Sequence, residues 1–428
     1  MSKLNLVPSA PGLRHLARLL CWAALAGLSP ATLAQGLEAF RVSGFGTLGL
    51  TDAVAPHGWG LRRDLGQSGS SEQTRGDVDS RIGLQLNYRP VSQVEFVTQF
   101  LAARESPAAS LGAKVTWAFV ALNPTPESAV RFGRVNLDAF LMSDHRNVGL
   151  AYPQVRPPVE FYGLLPTSLD GGDVSRWVDI GDSRWRFKLY GGRTLGGDRG
   201  SNAAVRVAPT VGGLVSRESD GLLIRLGAIR AGVATSPAPL EPLIAGLTTL
   251  GTLPLPNVAS EAQALRERVD PAGSTANYLA LGAKFDSGPW LWSAELARVS
   301  GHPFYALVGG YASVGRRFGD WTVHSTFSRV RASAAALAAP QWSQSLAFDP
   351  ALAAQAQALG SGAAMVASQG PRQHTWSVGA RWDLHPQIAV KFQWDQISTE
   401  ANGAVLWTHA SVDSGRSRVA SVLLDFVF

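Results

Sequence analysis

The stretch Ser417 to Phe428 (SRVASVLLDFVF) constrains the fold of this chain more than any other. Ala420, Val422, Leu424, Phe426 and Phe428 recur at period two on one face, with Ser417, Ser421 and Asp425 on the other. A strand that is apolar on one side and tolerant of charge on the other, closing on a bare aromatic, is poorly placed as the last strand of a soluble sandwich. A membrane barrel accommodates it, because lipid receives the outer face, water the inner one, and closure leaves no unpaired edge.

Composition agrees with strands that alternate. Only 16% of the 428 residues are charged and 46% are hydrophobic, yet ten-residue alternating segments leave mean hydropathy near zero. A helical transporter would be far more apolar, and a soluble enzyme of this length would carry more charge.

Residues 1–34 read as a secretory signal: Lys3, Arg14 and Arg18 precede the apolar run Leu19 to Leu28, and Thr32-Leu33-Ala34 offers small residues for cleavage. The run is too short to span about 30 Å of hydrocarbon. Leu20 stands before Cys21 where a lipid-anchored cysteine would want a small residue. Cleavage would remove the one cysteine, so neither disulfides nor thiolate metal sites are expected, and no metal or cofactor is implied. It would also lower the net charge from +6 to +3, and without a Lys/Arg run interleaved with aromatics nucleic acid is not an expected partner.

Residues 35–428 then form one unit of about sixteen alternating strands. Phe40, Val42, Leu48 and Leu50 oppose Arg41, Ser43, Thr47 and Thr51; Ile82, Leu84, Leu86 and Tyr88 oppose Arg81, Gln85, Asn87 and Arg89. Strands are expected at about Leu111 to Leu122 and Ser128 to Phe140, around the turn at Gly181-Asp182, at Asn202 to Val207, and at Arg217 to Val233. Hairpins follow at Asp286 to Pro289, Gly319-Asp320 and His385-Pro386. Long connections alternate with tight turns, as in an outer-membrane barrel, whose long loops face out of the cell. The long ones are Asp52 to Asp77, 141–170, 235–273 (with a short helix over Ser260 to Arg268) and the Ala/Gln-rich loop 332–371.

Alternation points Arg41, Arg81, Arg131, Arg186, Lys188, Arg225, Lys284, Arg381 and Lys391 inward, together with Glu95, Glu295 and Asp395. Basic groups lead, which predicts a weak anion preference in a pore. Trp117, Trp185, Trp290, Trp292, Trp321, Trp376, Trp382 and Trp394 fall on or beside outer faces, as an interfacial girdle would. The histidines of residues 35–428 are scattered without metal spacing, and no nucleophile motif supports a Ser/His enzyme at a barrel rim.

Three motifs carry a resemblance. Val42-Ser43-Gly44-Phe45-Gly46-Thr47-Leu48-Gly49 resembles the opening strand of the general porins of Gram-negative outer membranes. Val130-Arg131-Phe132-Gly133-Arg134 resembles their fifth strand, and Val427-Phe428 their close. The resemblance implies a homotrimer of transmembrane antiparallel β-barrels in outer-membrane lipid, passing small hydrophilic solutes and ions. It makes Phe426 and Phe428 part of a signal read by the barrel assembly machinery. It also implies a third loop folded into the lumen, here 141–170, where Pro158-Val159-Glu160-Phe161-Tyr162-Gly163 departs at Val159 and Tyr162 from the family's Pro-Glu-Phe-Gly-Gly element. Asp138, Asp144, Glu160 and Asp170 on or beside that loop would then oppose the basic wall. A substrate-selective channel, with specificity from 235–273 and 332–371, and a structural or adhesive barrel are the alternatives.

Overall fold

The computed structural model describes residues 39–104, 112–198, 203–301, 306–333, 340–408 and 414–428. The signal segment, His302 and His409 lie outside them. Sixteen long antiparallel strands close into a barrel. They are β1 (Phe40–Val54), β2 (Arg81–Val91), β3 (Val94–Ala103), β4 (Gly112–Thr125), β5 (Ser128–Asn136), β6 (Ser168–Ile180), β7 (Ser183–Asp198) and β8 (Ala203–Ser219). The second half comprises β9 (Leu222–Val233), β10 (Thr275–Ser287), β11 (Trp290–Ser300), β12 (Ala306–Phe318), β13 (Trp321–Ser333), β14 (Arg372–His385), β15 (Ile388–Thr399) and β16 (Gly415–Val427). Among the described residues no helix is long and apolar enough to cross a membrane, which leaves any crossing to the strands.

Closure runs through the C-terminal stretch Ser417 to Phe428. β1 pairs with β2 from Phe40↔Tyr88 to Thr47↔Arg81 and with β16 from Phe45↔Val427 to Val54↔Arg418, so both edges of the sheet meet on one strand. Phe428 donates its N–H to the Gly44 carbonyl at 3.0 Å and accepts from the Gly44 N–H at 2.8 Å. Gly44 and Gly46 leave room for the rings of Phe428 and Phe426, which sit where a Cβ on either glycine would lie.

The two faces separate as alternation requires. Leu48, Leu50, Phe132, Leu189 and Leu226 stand outward and exposed, while Thr47, Thr51, Lys391 and Asp425 point inward and are buried. Trp185, Trp290, Trp292, Trp321 and Trp382 stand outward near the tight-turn ends, with Trp321 and Trp382 stacked across β13 and β14 at 5.3 Å between ring centroids. Amphipathic rings suit a membrane interface. At the long-loop ends of β9, β11 and β13 the polarity inverts. Arg230, Arg298, Arg329 and Arg331 face out and are exposed, whereas Ile229, Ala297, Val330 and Ala332 face in and are buried.

Three expectations need correcting. The expected strands at 202–207 and 217–233 are instead β8, running unbroken from Ala203 to Ser219, and β9, which starts at Leu222. Pro209 looks like a breaker but sits in the bulge between Val207 and Thr210, where a missing N–H is tolerated. The true turn is Asp220-Gly221, with φ of 49° and 77°. The Ala/Gln-rich loop also contains a helix. Among the described residues five α-helices lie in the connections: α1 (Val159–Tyr162), α2 (Glu241–Leu250), α3 (Pro256–Val269), α4 (Trp342–Ser345) and α5 (Pro350–Ser368). In α5 the Asp349 carboxylate accepts from the N–H groups of Ala351 and Leu352 at 3.0 Å, and Pro350 begins the first turn, so N-cap chemistry and an alanine-rich run override the loop reading. Finally, the inward loop spans residues 137–167 and not 141–170, because β5 stops at Asn136, short of the expected Phe140, and Ser168 already opens β6.

One glycine of the fifth strand is fixed by backbone contact alone. Gly133 has φ of 129°, and a Cβ there would lie 2.3 Å from the Ala118 carbonyl oxygen across the β4–β5 ladder. Gly133→Val is therefore expected to lower the yield of compact barrel, measured as the fraction with folded mobility in unheated electrophoresis. Wild-type yield would show that β4 and β5 do not approach in this way.

Candidate functional site: the loop inside the barrel

The connection 137–167 leaves β5, crosses the lumen and returns to β6. It follows the inner wall because that wall presents cations to its carbonyl groups. Arg81 of β2 donates to the Asn147 carbonyl at 2.8 Å and to the Tyr152 hydroxyl at 3.2 Å. Arg381 of β14 donates to the Leu150 carbonyl at 2.6 Å. Lys391 of β15 donates to the carbonyls of Gly149 at 2.6 Å and Gln154 at 2.9 Å, pairs with Asp425 of β16 at 2.9 Å, and lies 4.6 Å from the centre of the Tyr152 ring. Burial pushes the Tyr152 hydroxyl up to about 12.

A second group of charges gathers around Asp138, at the entrance to the loop. Arg225 of β9 pairs with it at 2.5 Å and also donates to the Phe140 carbonyl; Lys188 of β7 pairs with it at 3.0 Å and Arg186 approaches to 3.5 Å. Burial alone would raise the Asp138 carboxyl, but Arg225, Lys188 and Arg186 outweigh it and hold it well below the usual carboxylate range. Arg131 of β5 is taken up by Asp173 of β6 at 2.7 Å and by Asn136 at 2.9 Å.

The middle of the loop is held by an arginine that alternation did not single out. Arg156 is buried and bridges Asp79, in the first long connection, at 2.6 Å to Asp395 of β15 at 2.9 Å, with a further bond to Ser421 of β16 at 2.8 Å. Burial pushes the Asp79 carboxyl up, but Arg156 and then Arg63 more than offset this, so it stays below its ordinary 3.8. Nothing in the pattern of the Arg146 to Pro158 stretch distinguishes Arg156 from Arg146. What could have been noticed is that each long connection carries carboxylates in need of a partner once buried.

Beyond Arg156 the loop ends in α1, whose Glu160 is buried. Its carboxylate accepts from Ser328 at 2.6 Å, from Gln373 at 2.7 Å and from Thr375, docking α1 on β13 and β14. Glu295 of β11 accepts from Tyr162, from Tyr311 at 3.0 Å and from the Leu141 N–H at 2.9 Å. Phe140, Phe161, Tyr162 and Tyr311 pack around this point, with centroid distances of 4.8 Å for Phe140–Tyr162 and 5.6 Å for Phe161–Tyr311.

The nine basic residues thus divide. Arg81, Arg225, Arg381 and Lys391 touch the loop backbone, and Arg186 and Lys188 hold its entrance at Asp138. Arg131 is neutralised on the wall. Arg41 and Lys284 have no ion pair among the described residues, and Lys284 borders a chamber of about 190 Å³ on the turn side that also meets His145, Arg317 and Arg381. Burial and the nearby Lys284 ammonium both lower the His145 imidazole. Of the four acidic residues, Asp138 and Glu160 lie in the lumen and Asp144 accepts from Asn136 at 2.6 Å. Asp170 does not oppose the basic wall. It lies on β6 at a position of outward parity and pairs with Arg134 of β5 at 2.6 Å, because β6 already begins at Ser168 and takes Asp170 into the strand.

On the loop side lies a second, larger chamber of about 360 Å³, divided from the turn-side chamber by the aromatic packing at Phe140 and Tyr311. Among the described residues no group of three or more His, Cys, Asp or Glu side chains could hold a metal ion.

No family model matches the chain, and no curated protein does. Solved structures do. The chain is similar to the anion-selective porin from Comamonas acidovorans, with a TM-score of 0.50, 12% identity, and 91% of this chain and 100% of that one covered. It is likewise similar to OprB of Pseudomonas putida, with a TM-score of 0.50, 11% identity, and 93% and 96% covered. At such identity the likeness concerns the fold, that of the sixteen-stranded outer-membrane barrels.

Proposed function

We propose that the protein is an outer-membrane channel for small solutes and ions, narrowed by residues 137–167. The observation that carries this reading is the attachment of that loop to cations on four separate strands, through Arg81, Arg225, Arg381 and Lys391. A loop fastened on so many sides of a barrel works as a fixed constriction, which a purely adhesive barrel has no need of. Assembly into a homotrimer, recognition of Phe426 and Phe428 by the assembly machinery and residence in outer-membrane lipid complete the proposal, supported by the porin-like opening and closing strands and by the contact of Gly44 with Phe428. A substrate-selective channel is favoured over a wide diffusion pore by the mostly apolar lining of the loop-side chamber, which is unlike a water-filled passage.

Purified protein in a planar bilayer is expected to give small, steady conductance steps. Large steps would show that the loop does not constrict, and no steps at all would remove the channel. Anion preference is weak in this proposal, since most inward cations are paired or bonded to carbonyls. Lys284 is the lumenal cation left without a carboxylate in the turn-side chamber. Lys284→Gln should shift the reversal potential in a dilute salt gradient toward cations, and the shift should fade at 1 M salt, where the screening length is about 3 Å. An unchanged potential at low salt would take Lys284 off the ion path.

A further inference from the structure

We propose that the loop-side chamber is a binding site for a neutral, apolar molecule about the size of a two-ring arene. This rests on the channel reading and names the class of solute the channel would select. The first observation is the inverted polarity of the strand ends: where β9 and β11 carry Arg230 and Arg298 outward, they present Ile229, Ala231 and Ala297 to the lumen. The interior of an outer-membrane barrel is ordinarily polar. Here Val207, Ile229, Ala231 and Leu307 form a wall and Phe140 and Phe161 a floor.

The second observation is hydrogen-bonding capacity. Four polar side chains border the chamber, and each is already engaged. The Glu160 carboxylate is taken by Ser328, Gln373 and Thr375. The hydroxyls of Tyr278, Thr194 and Thr210 donate to the carbonyls of Ala139, Ser168 and Val207 at 3.2, 2.7 and 3.4 Å. An anion or a sugar oxygen entering this space would give up donors in water without gaining one from a side chain, since all three hydroxyl protons are already used, whereas an arene would give up nothing of the kind. Size sets the third limit. An apolar cavity of about 150 Å³ holds benzene, and this chamber of about 360 Å³ holds a molecule roughly twice that size.

The test uses the folded barrel in detergent micelles with naphthalene as probe, followed through the side-chain methyl resonances. Methyls of Val207, Ile229 and Leu307 should shift saturably, while Leu226, exposed on the outer face, should shift only in proportion to naphthalene dissolved in the micelle. Ala231→Phe, which fills the chamber, should abolish the saturable component. If that variant lacks folded mobility in unheated electrophoresis, Ala297→Leu provides a smaller filling with the same expectation. Chamber methyls that merely follow Leu226, or that respond equally in the filled variant, would overturn the site. An equal saturable response to arabinose would overturn the apolar class. Conductance of the same preparation separates the two proposals. Conductance without a saturable shift removes the site and leaves the channel; a saturable shift without conductance removes the channel and leaves the site.

Discussion

Arg156→Met is expected to release the internal loop, raising single-channel conductance and lowering the thermal stability of the barrel. Arg156 ties the middle of the loop to the first long connection through Asp79 and to the wall through Asp395 and Ser421. Methionine keeps most of the volume but leaves two buried carboxylates facing each other without the guanidinium between them. Breaking a buried pair from one side costs about 3–5 kcal/mol. The loop can relieve that cost by moving and admitting water, which is why conductance and stability should change together. Arg156→Lys should fall between the two, since an ammonium keeps the charge but cannot address two carboxylates with a planar fork. Adding Asp79→Asn and Asp395→Asn to Arg156→Met should recover part of the lost stability. A stable Arg156→Met variant with wild-type conductance would mean that the bridge does not hold the loop.

Low pH should act on the same attachments. Asp138 and Asp79 both lie outside the strands and both have pKa values held below the ordinary 3.8 by the cations around them. A carboxyl depressed on folding contributes stability that is fully present above its unfolded pKa and is lost as pH falls through the lower, folded one. Conductance should therefore change as pH falls below about 4, as Asp138 releases Arg225, Lys188 and Arg186 and Asp79 releases Arg156. Asp138→Asn should produce at neutral pH part of the change that the wild type shows only in acid. A transition centred near pH 6 would assign control to a different group, with His145 the first to examine.

The fold was largely legible because a barrel wall between lipid and water enforces period two, and the stretch from Ala420 to Phe428 keeps an apolar residue at every second, outward position although Leu423 is also apolar on the inner face. Legibility failed where alternation was erased or overridden. Gly212-Gly213 in β8 has no side chains to mark a face, and Pro209 looks like a break although it occupies a bulge. Strand parity puts the nine basic residues on the face that carries Thr47 and Asp425, yet their roles were not readable. Whether a lumenal arginine meets solute or a loop carbonyl depends on where residues 137–167 lie, and no strand period reports that. Arg156 and Asp79 sit in connections, where there is no period to read. The inverted ends of β9, β11 and β13 were visible in principle, since Ile229-Arg230-Ala231 and Ala297-Arg298-Val299 reverse the usual polarity of lumen and exterior.

The central claim, that residues 137–167 occupy the lumen, is tested most directly by a disulfide between loop and wall. A Cβ at Gly282 of β10 would lie 3.0 Å from Cγ of Leu141, which places cysteines at the two positions within bonding distance and removes no charge. In Leu141→Cys/Gly282→Cys, with no other cysteine in residues 35–428, the bond should form in the folded barrel and shift its mobility in denaturing, non-reducing electrophoresis. Two free thiols in a barrel of normal folded mobility would contradict the account, because the loop would then lie outside the lumen.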